Sequence, residues 1–267
     1  MKKQLSTAIL FFISAVAIAQ PASRVKKDQK KEEKRQKINA LMKQAEEGTL
    51  VFRKQSIFGG QLRTNGYGVF YELGKMKTNR KTNIYRIDIT EIKNQKEEKQ
   101  NAGGVIFGNP YIYGKQNCFY QFTLGFGQQY ILGQKGNKNG VAVSAIYNGG
   151  LAIGLKRPYF VEVRDPGTGS NRFISYKGAD TTLFLDDASI VGGGGLSKGW
   201  GEMKMTPGVF GKIAVRFDYG RFNEVVSGLE IGLSADFYTS KVPILVFQKE
   251  KQFFYQAYLA VLFGKRK

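Results

Sequence analysis

Nine ionisable residues occupy alternate positions in segments whose intervening positions are apolar, so a strand would direct all nine to one face. They are Glu72, Arg86, Asp88, Lys156, Lys212, Arg216, Asp218, Glu230 and Asp236. Carboxylates brought together in this way could perform general acid–base chemistry, as the paired acids of an aspartyl-type protease do. The four bases nearly balance the five acids, and the same residues could instead form a buried network of ion pairs. We favour the network, in which Lys212, Arg216 and Asp218 would meet the acids of the next strand, at 230 and 236.

The composition argues against several kinds of catalytic site. Histidine is absent from the chain, which removes histidine-based acid–base catalysis, Ser–His nucleophiles and histidine-ligated metals. Cys118 is the single cysteine, so it forms no internal disulfide and is expected to pack near a strand end. The glycine run 192–195 lacks the Lys-Ser/Thr that a phosphate-binding loop needs, so we expect a flexible loop there. We therefore expect no catalytic residue, no metal site and no cofactor, and we predict that the protein is not an enzyme.

The elements that must position these charges are strands, because the hydrophobic period is two from Leu50 onward. Eight candidate strands follow one another at about 50–63, 67–75, 83–92, 117–132, 141–156, 209–219, 225–238 and 251–264. In the last of them, one face carries Phe253, Tyr255, Leu259 and Val261, whereas the other mixes amides with small and apolar residues. This last strand is expected to pair with the first and close the sheet.

A soluble barrel or sandwich would bury its apolar face, and alternation alone does not distinguish that case from a membrane barrel. Two features favour the membrane. The strands exceed the roughly five or six residues usual in soluble sheets, and aromatic residues cluster near strand ends, where interfacial girdles would lie. The girdle candidates are Tyr120, Tyr159, Phe160, Trp200, Tyr219, Phe222 and Phe263. The predicted fold is all-β: a closed antiparallel up-and-down transmembrane β-barrel of about eight strands, preceded by a short amphipathic helix.

The connections between the predicted strands alternate in length. Those at 76–82, 133–140 and 221–224 are short, whereas those at 93–116 and 157–206 are long. Outer-membrane barrels have short periplasmic turns and longer outer loops, so the alternation predicts a periplasmic amino terminus and two long outer loops. The turn at Thr64, Asn65 and Gly66 is an exception, because it is short on the outer side.

Residues 1–19 are predicted to be a secretory signal peptide. They combine the basic Lys2 and Lys3 with an apolar stretch and a small-residue cleavage site between Ala19 and Gln20. A transmembrane anchor is the alternative, but the apolar stretch is shorter than the roughly 20 residues that a spanning helix needs. The sequence therefore predicts export, with a bacterial outer-membrane location for the barrel.

Residues 20–49 form a charged segment, which we expect to be a periplasmic lead-in to the barrel. Its first part has nothing to bury and should be solvated or form a frayed helix. Further on, apolar residues have helical spacing and a glycine follows as a possible C-cap. These residues are Ile38, Leu41, Met42, Ala45 and Gly48. The helix could lead into the barrel, cap its periplasmic mouth or lie on the membrane.

The formal net charge is +20, and the exclusion of two signal-peptide lysines still leaves a strongly basic chain. Nucleic acid is a poor partner for an exported chain without a recognisable binding module. Anionic membrane lipids are a better counterpart, so we expect outer-membrane lipids as partners. The barrel-insertion machinery is a second expected partner, reading the terminal Phe263 and Gly264. Other envelope proteins are the third.

Three segments of the chain resemble a family of small outer-membrane β-barrel proteins of Bacteroidota-type bacteria. They are LVFRKQSIFGGQLRTNGYGVFYELGK, YIYGKQNCFYQFTLGFGQQYILGQKGNKNGVAVSAIYNGGLAIGLKRPYFVEV and KQFFYQAYLAVLFGKRK, and the resemblance covers residues 50–267. It implies a barrel in the outer membrane and implies no reaction, since that family is mostly uncharacterised. From the residues, we expect a barrel with a side-chain-filled lumen that serves as an accessory or structural component of the envelope. The alternative function is a narrow pore or a lipid-handling barrel.

Overall fold

The computed structural model describes residues 29–36, 38–39, 52–101, 109–136, 140–220 and 224–267. Residues 29–36 and 38–39 are helical, and their side chains are exposed apart from the half-buried Ile38. The remaining residues of the predicted amphipathic face and its C-cap lie outside the described residues, as do the predicted signal peptide and its cleavage site. No helix in the described ranges has the length and apolar character that a membrane span requires.

Thirteen strands lie in the described part of the chain. They are β1 (Lys54–Arg63), β2 (Gly66–Thr78), β3 (Lys81–Ile92), β4 (Lys99–Gln100), β5 (Tyr111–Ile112), β6 (Asn117–Gly133), β7 (Ala142–Pro158), β8 (Phe160–Arg164), β9 (Asn171–Ser175), β10 (Ile190–Gly193), β11 (Lys204–Asp218), β12 (Val225–Val242) and β13 (Lys251–Arg266). A short α-helix spans Thr181–Phe184, and 3₁₀ turns span Gly178–Asp180, Asp187–Ser189 and Trp200–Glu202. The prediction of an all-β protein is confirmed.

Eight long strands form one antiparallel barrel in the order β1-β13-β12-β11-β7-β6-β3-β2. Each of these eight strands pairs with the barrel strands that come before and after it in the chain. The last, β13, also pairs with β1, from Tyr258 opposite Arg63 to Arg266 opposite Gln55. The strands are staggered by ten residues around the barrel. A path that starts at Arg63 and steps from each residue to its partner on the next strand returns to the first strand at Arg53 and not at Arg63. The path runs through Tyr258, Gly232, Ala214, Ile146, Gln129, Thr82 and Met76. Such a stagger requires the strands to tilt by roughly 35–45° from the barrel axis.

Side chains alternate between the two faces of the barrel wall. In β3, Tyr85 and Ile87 are exposed outside, whereas Arg86, Asp88 and Thr90 are buried inside. The same alternation continues through the other seven strands. The predicted faces of the strands are therefore confirmed, and the wall is apolar outside while the lumen contains the charged residues.

The two ends of the barrel differ. The connections 79–80, 134–141 and 219–224 are short and lie at the same end as the start of β1 and the end of β13, which we call the short-turn end. The connections 93–116, 159–203 and 243–250 lie at the opposite end, the long-loop end, together with the two-residue turn 64–65. The connections predicted to be short thus share one end and the two predicted to be long share the other, whereas 243–250 at the long-loop end is only as long as 134–141.

Two apolar clusters lie in the lumen, one on each side of its central charged residues. Ile57, Ile84, Val226 and Leu262 belong to the cluster nearer the short-turn end. Nearer the long-loop end, a second cluster combines the barrel residues Phe119, Phe210, Tyr238 and Phe254 with Val242, Ile244 and Leu245. These side chains thus block the axial path through the lumen, as expected for a barrel of eight strands, although a cavity remains beside the second cluster.

Residues 243–250, which we call the strap, cross the mouth at the long-loop end. The strap begins at β12 and reaches β6 on the opposite side of the barrel, where the Ile244 carbonyl accepts hydrogen bonds from the N–H groups of Gln116 (2.8 Å) and Asn117 (3.3 Å). The Asn117 side chain also donates to the Pro243 carbonyl (2.8 Å). These bonds hold the apolar residues of the strap over the lumen.

The longest connection has a fold of its own. Strands β10, β8 and β9 form a separate antiparallel sheet, with a core of Tyr111, Val161, Val163, Ile174, Phe184 and Ile190. The expectation of a flexible glycine loop at 192–195 is wrong, because Gly192 and Gly193 pair with Glu162 and Val161 in this sheet. A Cβ on Gly193 would lie 2.7 Å from the Pro110 carbonyl oxygen, so glycine serves close packing here.

The seam between β1 and β13 yields a stability prediction. A Cβ on Gly59 would lie 2.5 Å from the Val261 carbonyl oxygen of β13, whereas a Cβ on Gly60 would meet nothing within 4 Å. We expect Gly59→Ala to lower the free energy of unfolding by about 1–3 kcal/mol, because the two strands must separate to admit the methyl group. The urea midpoint, followed by far-UV circular dichroism, measures this effect. Gly60→Ala is the matched control, and equal midpoints for the two variants would contradict the described register.

Candidate functional site

The centre of the lumen is occupied by Arg216 of β11. Its guanidinium donates two parallel hydrogen bonds to Glu72 of β2, at 2.8 and 2.7 Å. It also donates to one oxygen of Glu230 of β12, at 2.9 and 2.7 Å. Since β2 and β11 lie on opposite sides of the barrel, the pair of Arg216 and Glu72 spans the lumen. Bidentate, charge-assisted bonds of this kind are the strongest and most directional that side chains make.

A second arginine extends this network. Arg86 of β3 donates to Glu230 (2.7 Å) and to Asp88 (3.2 Å), and its guanidinium lies 3.6 Å from the centre of the Phe70 ring. The Tyr258 hydroxyl of β13 donates to the same Glu230 oxygen as Arg86 (2.8 Å). Glu230 is therefore contacted by two arginines and a tyrosine, which satisfies a fully buried carboxylate.

Lys212 of β11 forms its ion pair across the lumen and not with an acid of the neighbouring strand β12. Its ammonium donates to Asp88 of β3 (2.7 Å), and Thr123 (3.1 Å) and Gln61 (3.2 Å) also donate to this carboxylate. We had expected Lys212 beside the acids of the next strand, but its partner in the register of β12 is Ser234. A lysine side chain that points inward is long enough to cross to the opposite wall.

Arg63 completes the central network and was missed in the sequence. It donates to Asp236 (2.9 Å) and Gln121 (2.7 Å), and Gln256 also donates to Asp236 (2.7 Å). Sequence reasoning overlooked Arg63 because its strand alternates poorly. Arg63 follows Gln61 by two residues in β1, so strand alternation places both side chains in the lumen. With Arg63, four bases and four acids balance in the centre of the lumen.

A smaller charged cluster lies at the short-turn end. Asp218 forms ion pairs with Arg266 and with Lys135, whose ammonium is 3.6 Å from the carboxylate and also donates to the Gly220 carbonyl. The sequence places neither basic residue in the lumen, because Lys135 falls in the predicted connection 133–140 and Arg266 lies beyond the last predicted strand, 251–264. Lys156, in contrast, lies apart from the charges of the lumen, since its ammonium donates to Ser240 near the long-loop end (3.2 Å).

The predicted girdle residues fall into two groups. Tyr219 and Phe263 are exposed near the short-turn end, and Tyr120 stacks on Trp200 at the long-loop end with ring centres 5.8 Å apart. Tyr159 and Phe160 instead belong to what we call the loop layer, the sheet of β8, β9 and β10 with the residues packed against it. The chain leaves the barrel wall at Pro158 and turns into β8. Phe222 lies outside the described residues.

The loop layer includes tyrosines whose hydroxyls are tied to the backbone or to acids. The Tyr111 hydroxyl donates to Asp187, and burial, together with this carboxylate, raises the pKa of Tyr111 to about 12. The Tyr159 hydroxyl accepts a hydrogen bond from the Ile112 N–H (3.1 Å), and burial raises its pKa as well. Both phenols therefore stay neutral and serve as fixed hydrogen-bonding groups near neutral pH.

The charged arrangement in the lumen can stabilise and orient the strands. Glu72 and Glu230 have no exposed surface, and arginine or lysine neutralises each central carboxylate. Within the described ranges, no cluster of three or more potential metal ligands occurs. Cys118 is buried beside Arg157. We conclude that the charged residues form an internal lattice, that is, a network of ion pairs that joins strands across the lumen.

The geometry defines the class of the protein as an eight-stranded up-and-down barrel with a charged, filled lumen. No family model and no curated protein matches the sequence. Among solved structures, the chain is similar to Neisserial surface protein A, with 10% identity, a TM-score of 0.39 and coverage of 81% of this chain and 97% of that one. The N-terminal β-barrel domain of Pseudomonas aeruginosa OprF has 10% identity and a TM-score of 0.35, with coverage of 80% of this chain and 98% of that one. Ail of Yersinia pestis, in complex with the heparin analogue sucrose octasulfate, has 10% identity and a TM-score of 0.38, with coverage of 81% of this chain and 100% of that one.

Because these TM-scores are below 0.5, the fold assignment depends on the strand pairing itself. Three independent features of the pairing define it: the continuous antiparallel order, the contact of the last strand with the first, and the constant alternation of faces. All three are properties of this chain. They are sufficient for the class of protein and leave its cellular role to be argued from its surfaces.

The central network predicts a large cost for removal of one partner. We expect Arg216→Met to lower the free energy of unfolding by about 3–5 kcal/mol, because Glu72 and Glu230 would lose a shared cation inside the lumen. The urea midpoint of the purified protein measures this change. Lys177→Met is the matched control, since it breaks the exposed ion pair with Glu202 (3.6 Å), and such pairs contribute little. An Arg216→Met midpoint equal to that of the control would contradict the stabilising role of the network.

Proposed function

We propose that the protein is an integral outer-membrane β-barrel with a filled lumen that serves as an accessory or structural component of the cell envelope. The observation that carries the proposal is the reversed polarity of the wall. Charged residues point into the lumen, and large apolar residues point to the surroundings. A soluble barrel has the opposite arrangement, whereas lipid requires an apolar outer face and a sheet without edges.

The outer face forms an apolar band around the barrel. Its exposed members include Phe58, Leu62, Val69, Tyr71, Leu73, Tyr85, Ile87, Ile89, Leu124, Phe126, Leu151, Val209, Ile213, Leu229, Ile231, Leu233, Leu259 and Val261. Among the described residues, no charged side chain lies on the outward face between these positions along any barrel strand. Asn83, Gln128 and Tyr147 satisfy one another there through hydrogen bonds of 3.3 and 2.7 Å. The band thus exposes few polar groups that lipid would leave unsatisfied.

Basic residues flank the band at the short-turn end. Lys54, Lys75, Lys77, Lys81 and Lys265 are all exposed there. Anionic headgroups attract such residues, and short turns are typical of the periplasmic side of outer-membrane barrels. These two features support an orientation with the short turns and the amino-terminal lead-in in the periplasm, and the long loops outside.

An accessory role fits a barrel whose longest connection, 159–203, folds into a sheet of its own. The outer loop sheet has its own buried core, and it exposes Phe173, Val191 and Leu196. Ordered loops lose less conformational entropy on binding than flexible ones do. We propose that this loop layer, or the charged lead-in, binds another protein of the envelope. Catalysis is not part of the proposal, because the paired acids of the lumen have no access to a substrate.

The membrane location is tested by a charge in the apolar band. We expect Ile231→Arg, on the outer face near the middle of β12, to reduce insertion strongly, because an arginine at the bilayer midplane costs about 2–4 kcal/mol. Heat-modifiable gel migration of the outer-membrane fraction measures the folded protein. Thr239→Arg, which lies nearer the long-loop end of the same strand, is the matched control and should insert normally. Recovery of the wild-type protein from the soluble periplasmic fraction would overturn the proposal.

The filled lumen also predicts an electrical property. Purified protein in planar bilayers is expected to give no stable unitary currents, because the ion-pair network, two apolar clusters and the strap obstruct the lumen. The same preparation must show heat-modifiable migration, so that a silent bilayer does not simply reflect unfolded protein. Stable single-channel steps from folded protein would favour the narrow pore over the accessory barrel.

A further inference from the structure

The barrel wall has a gap at the long-loop end. Strand β1 ends at Arg63, and among the described residues the last backbone hydrogen bond across the seam joins the Thr64 N–H to the Ala257 carbonyl (3.0 Å). Residues 251–256 of β13 therefore extend beyond β1 and have no β1 partner, while β3 rises on the other side to Ile92. We call this gap the notch. Its base is formed by Thr64 and Asn65, and its two sides by residues 93–95 and 249–257.

A cavity of about 980 Å³ connects the notch with the outer half of the lumen. Asn148, Lys212, Ser234 and Gln256 line its inner part, and the strap residues Ile244 and Leu245 lie above it. Residues whose side chains face outward on the same strands border the cavity through their backbones, because they alternate with the inward residues. The space is thus reached through the side of the barrel.

The lining of this cavity contains basic residues but no acidic ones. They include Lys93, Lys212, Lys249 and Lys251 and contain no Asp or Glu. Lys212 is neutralised by Asp88 (2.7 Å), and Lys93 lies 4.0 Å from Glu91. Within the described ranges, neither Lys249 nor Lys251 takes part in an ion pair, although Glu250 lies between them in the chain. The notch consequently presents uncompensated positive charge to its surroundings.

Polar groups inside the cavity are also without partners. Asn148 is 6% exposed, and neither atom of its amide has a hydrogen-bond partner among the described residues. The Oδ1 atom of Asn65 is likewise unpartnered, although its amide nitrogen donates to Gln256 (3.2 Å). A buried amide without partners is unfavourable unless water or a ligand satisfies it. Both amides line the cavity, so the cavity has places for a ligand that accepts and donates hydrogen bonds.

We propose that the notch binds a phosphate-bearing anionic lipid of the surrounding membrane, an inference that rests on the proposed membrane location of the barrel. The phosphate would lie among Lys93, Lys249 and Lys251, and the polar headgroup attached to it would extend into the cavity towards Asn148. The acyl chains would follow the outer wall below them, where Phe253 is 53% and Tyr255 80% exposed. The notch favours a lipid over a free phosphate because its opening is continuous with the apolar outer face. A lipid can move sideways into such an opening without leaving the bilayer.

The lipid site is tested on detergent-purified, folded barrel by native mass spectrometry with three probes: phosphatidylglycerol, phosphatidylcholine and inorganic phosphate. We expect one phosphatidylglycerol to be retained, at least tenfold more strongly than phosphatidylcholine. We expect the double variant Lys249→Gln/Lys251→Gln to lose at least tenfold in this retention. Lys75→Gln/Lys265→Gln at the short-turn end is the matched control and should bind as the wild type does. Equal loss in both variants, or inorganic phosphate that binds as well as the lipid, would overturn the proposal.

Asn148→Leu gives a second, independent test. The substitution removes the unpartnered amide at similar volume, so the folded protein should be at least as resistant to urea as the wild type. Its retention of phosphatidylglycerol should nevertheless fall several-fold, and unchanged retention would exclude Asn148 from the site. Every measurement uses protein already shown to be folded by heat-modifiable migration. Failure of lipid binding therefore contradicts the notch proposal alone, whereas a soluble wild-type protein contradicts the membrane location.

Discussion

The interaction of Arg216 with Glu72 and Glu230 is the constraint on which the rest of the barrel depends. One guanidinium joins β11 to β2 across the lumen and to β12 beside it. Buried charges of this kind are costly to desolvate, and only complete pairing offsets that cost. Complete pairing requires the barrel to be closed, because Glu72 reaches Arg216 only when β1 and β2 stand opposite β11. The network thus specifies closure and register more than it adds net stability, a role that buried ion pairs have in other proteins.

This internal lattice determines where function can lie. Each of its carboxylates is buried and paired with a basic residue, and apolar clusters lie above and below it. A reaction or a conducting path through the barrel would require the lattice to be broken. The accessible surfaces are the outer wall, the loop layer and the notch, and these differ in chemistry. The wall suits acyl chains, the loop layer suits a protein partner, and the lysines of the notch suit an anionic headgroup.

The sequence was sufficient for the barrel strands and their faces because a period of two, once established, assigns every residue of a strand to a side. Arg216 and Glu230 could be paired in advance, since they lie on consecutive strands. Lys212 could not be assigned to Asp88, because that contact depends on which strands become opposite when the barrel closes. Arg266 could not be assigned to the lumen, because the apolar alternation of the last strand ends at Gly264. Tyr159 was assigned to the barrel wall, because the sequence has no periodic signal where the chain leaves the wall at Pro158. The folding of the glycine run into a sheet depends on contacts with residues 110 and 161, far away in the chain.

The turn of Thr64, Asn65 and Gly66 shows how an exception to a pattern can carry information. It is short at the end where the other connections are long, and it therefore leaves the wall low between β13 and β3. A barrel with an even rim under the strap would seal its lumen on all sides. Here the low wall opens the outer half of the lumen sideways, at a place where lysines gather and acids are absent from the lining. At the proposed membrane location, such a lateral opening has little use for a solute from the aqueous phase, but it matches a molecule that diffuses in the plane of the bilayer with its charge at the surface.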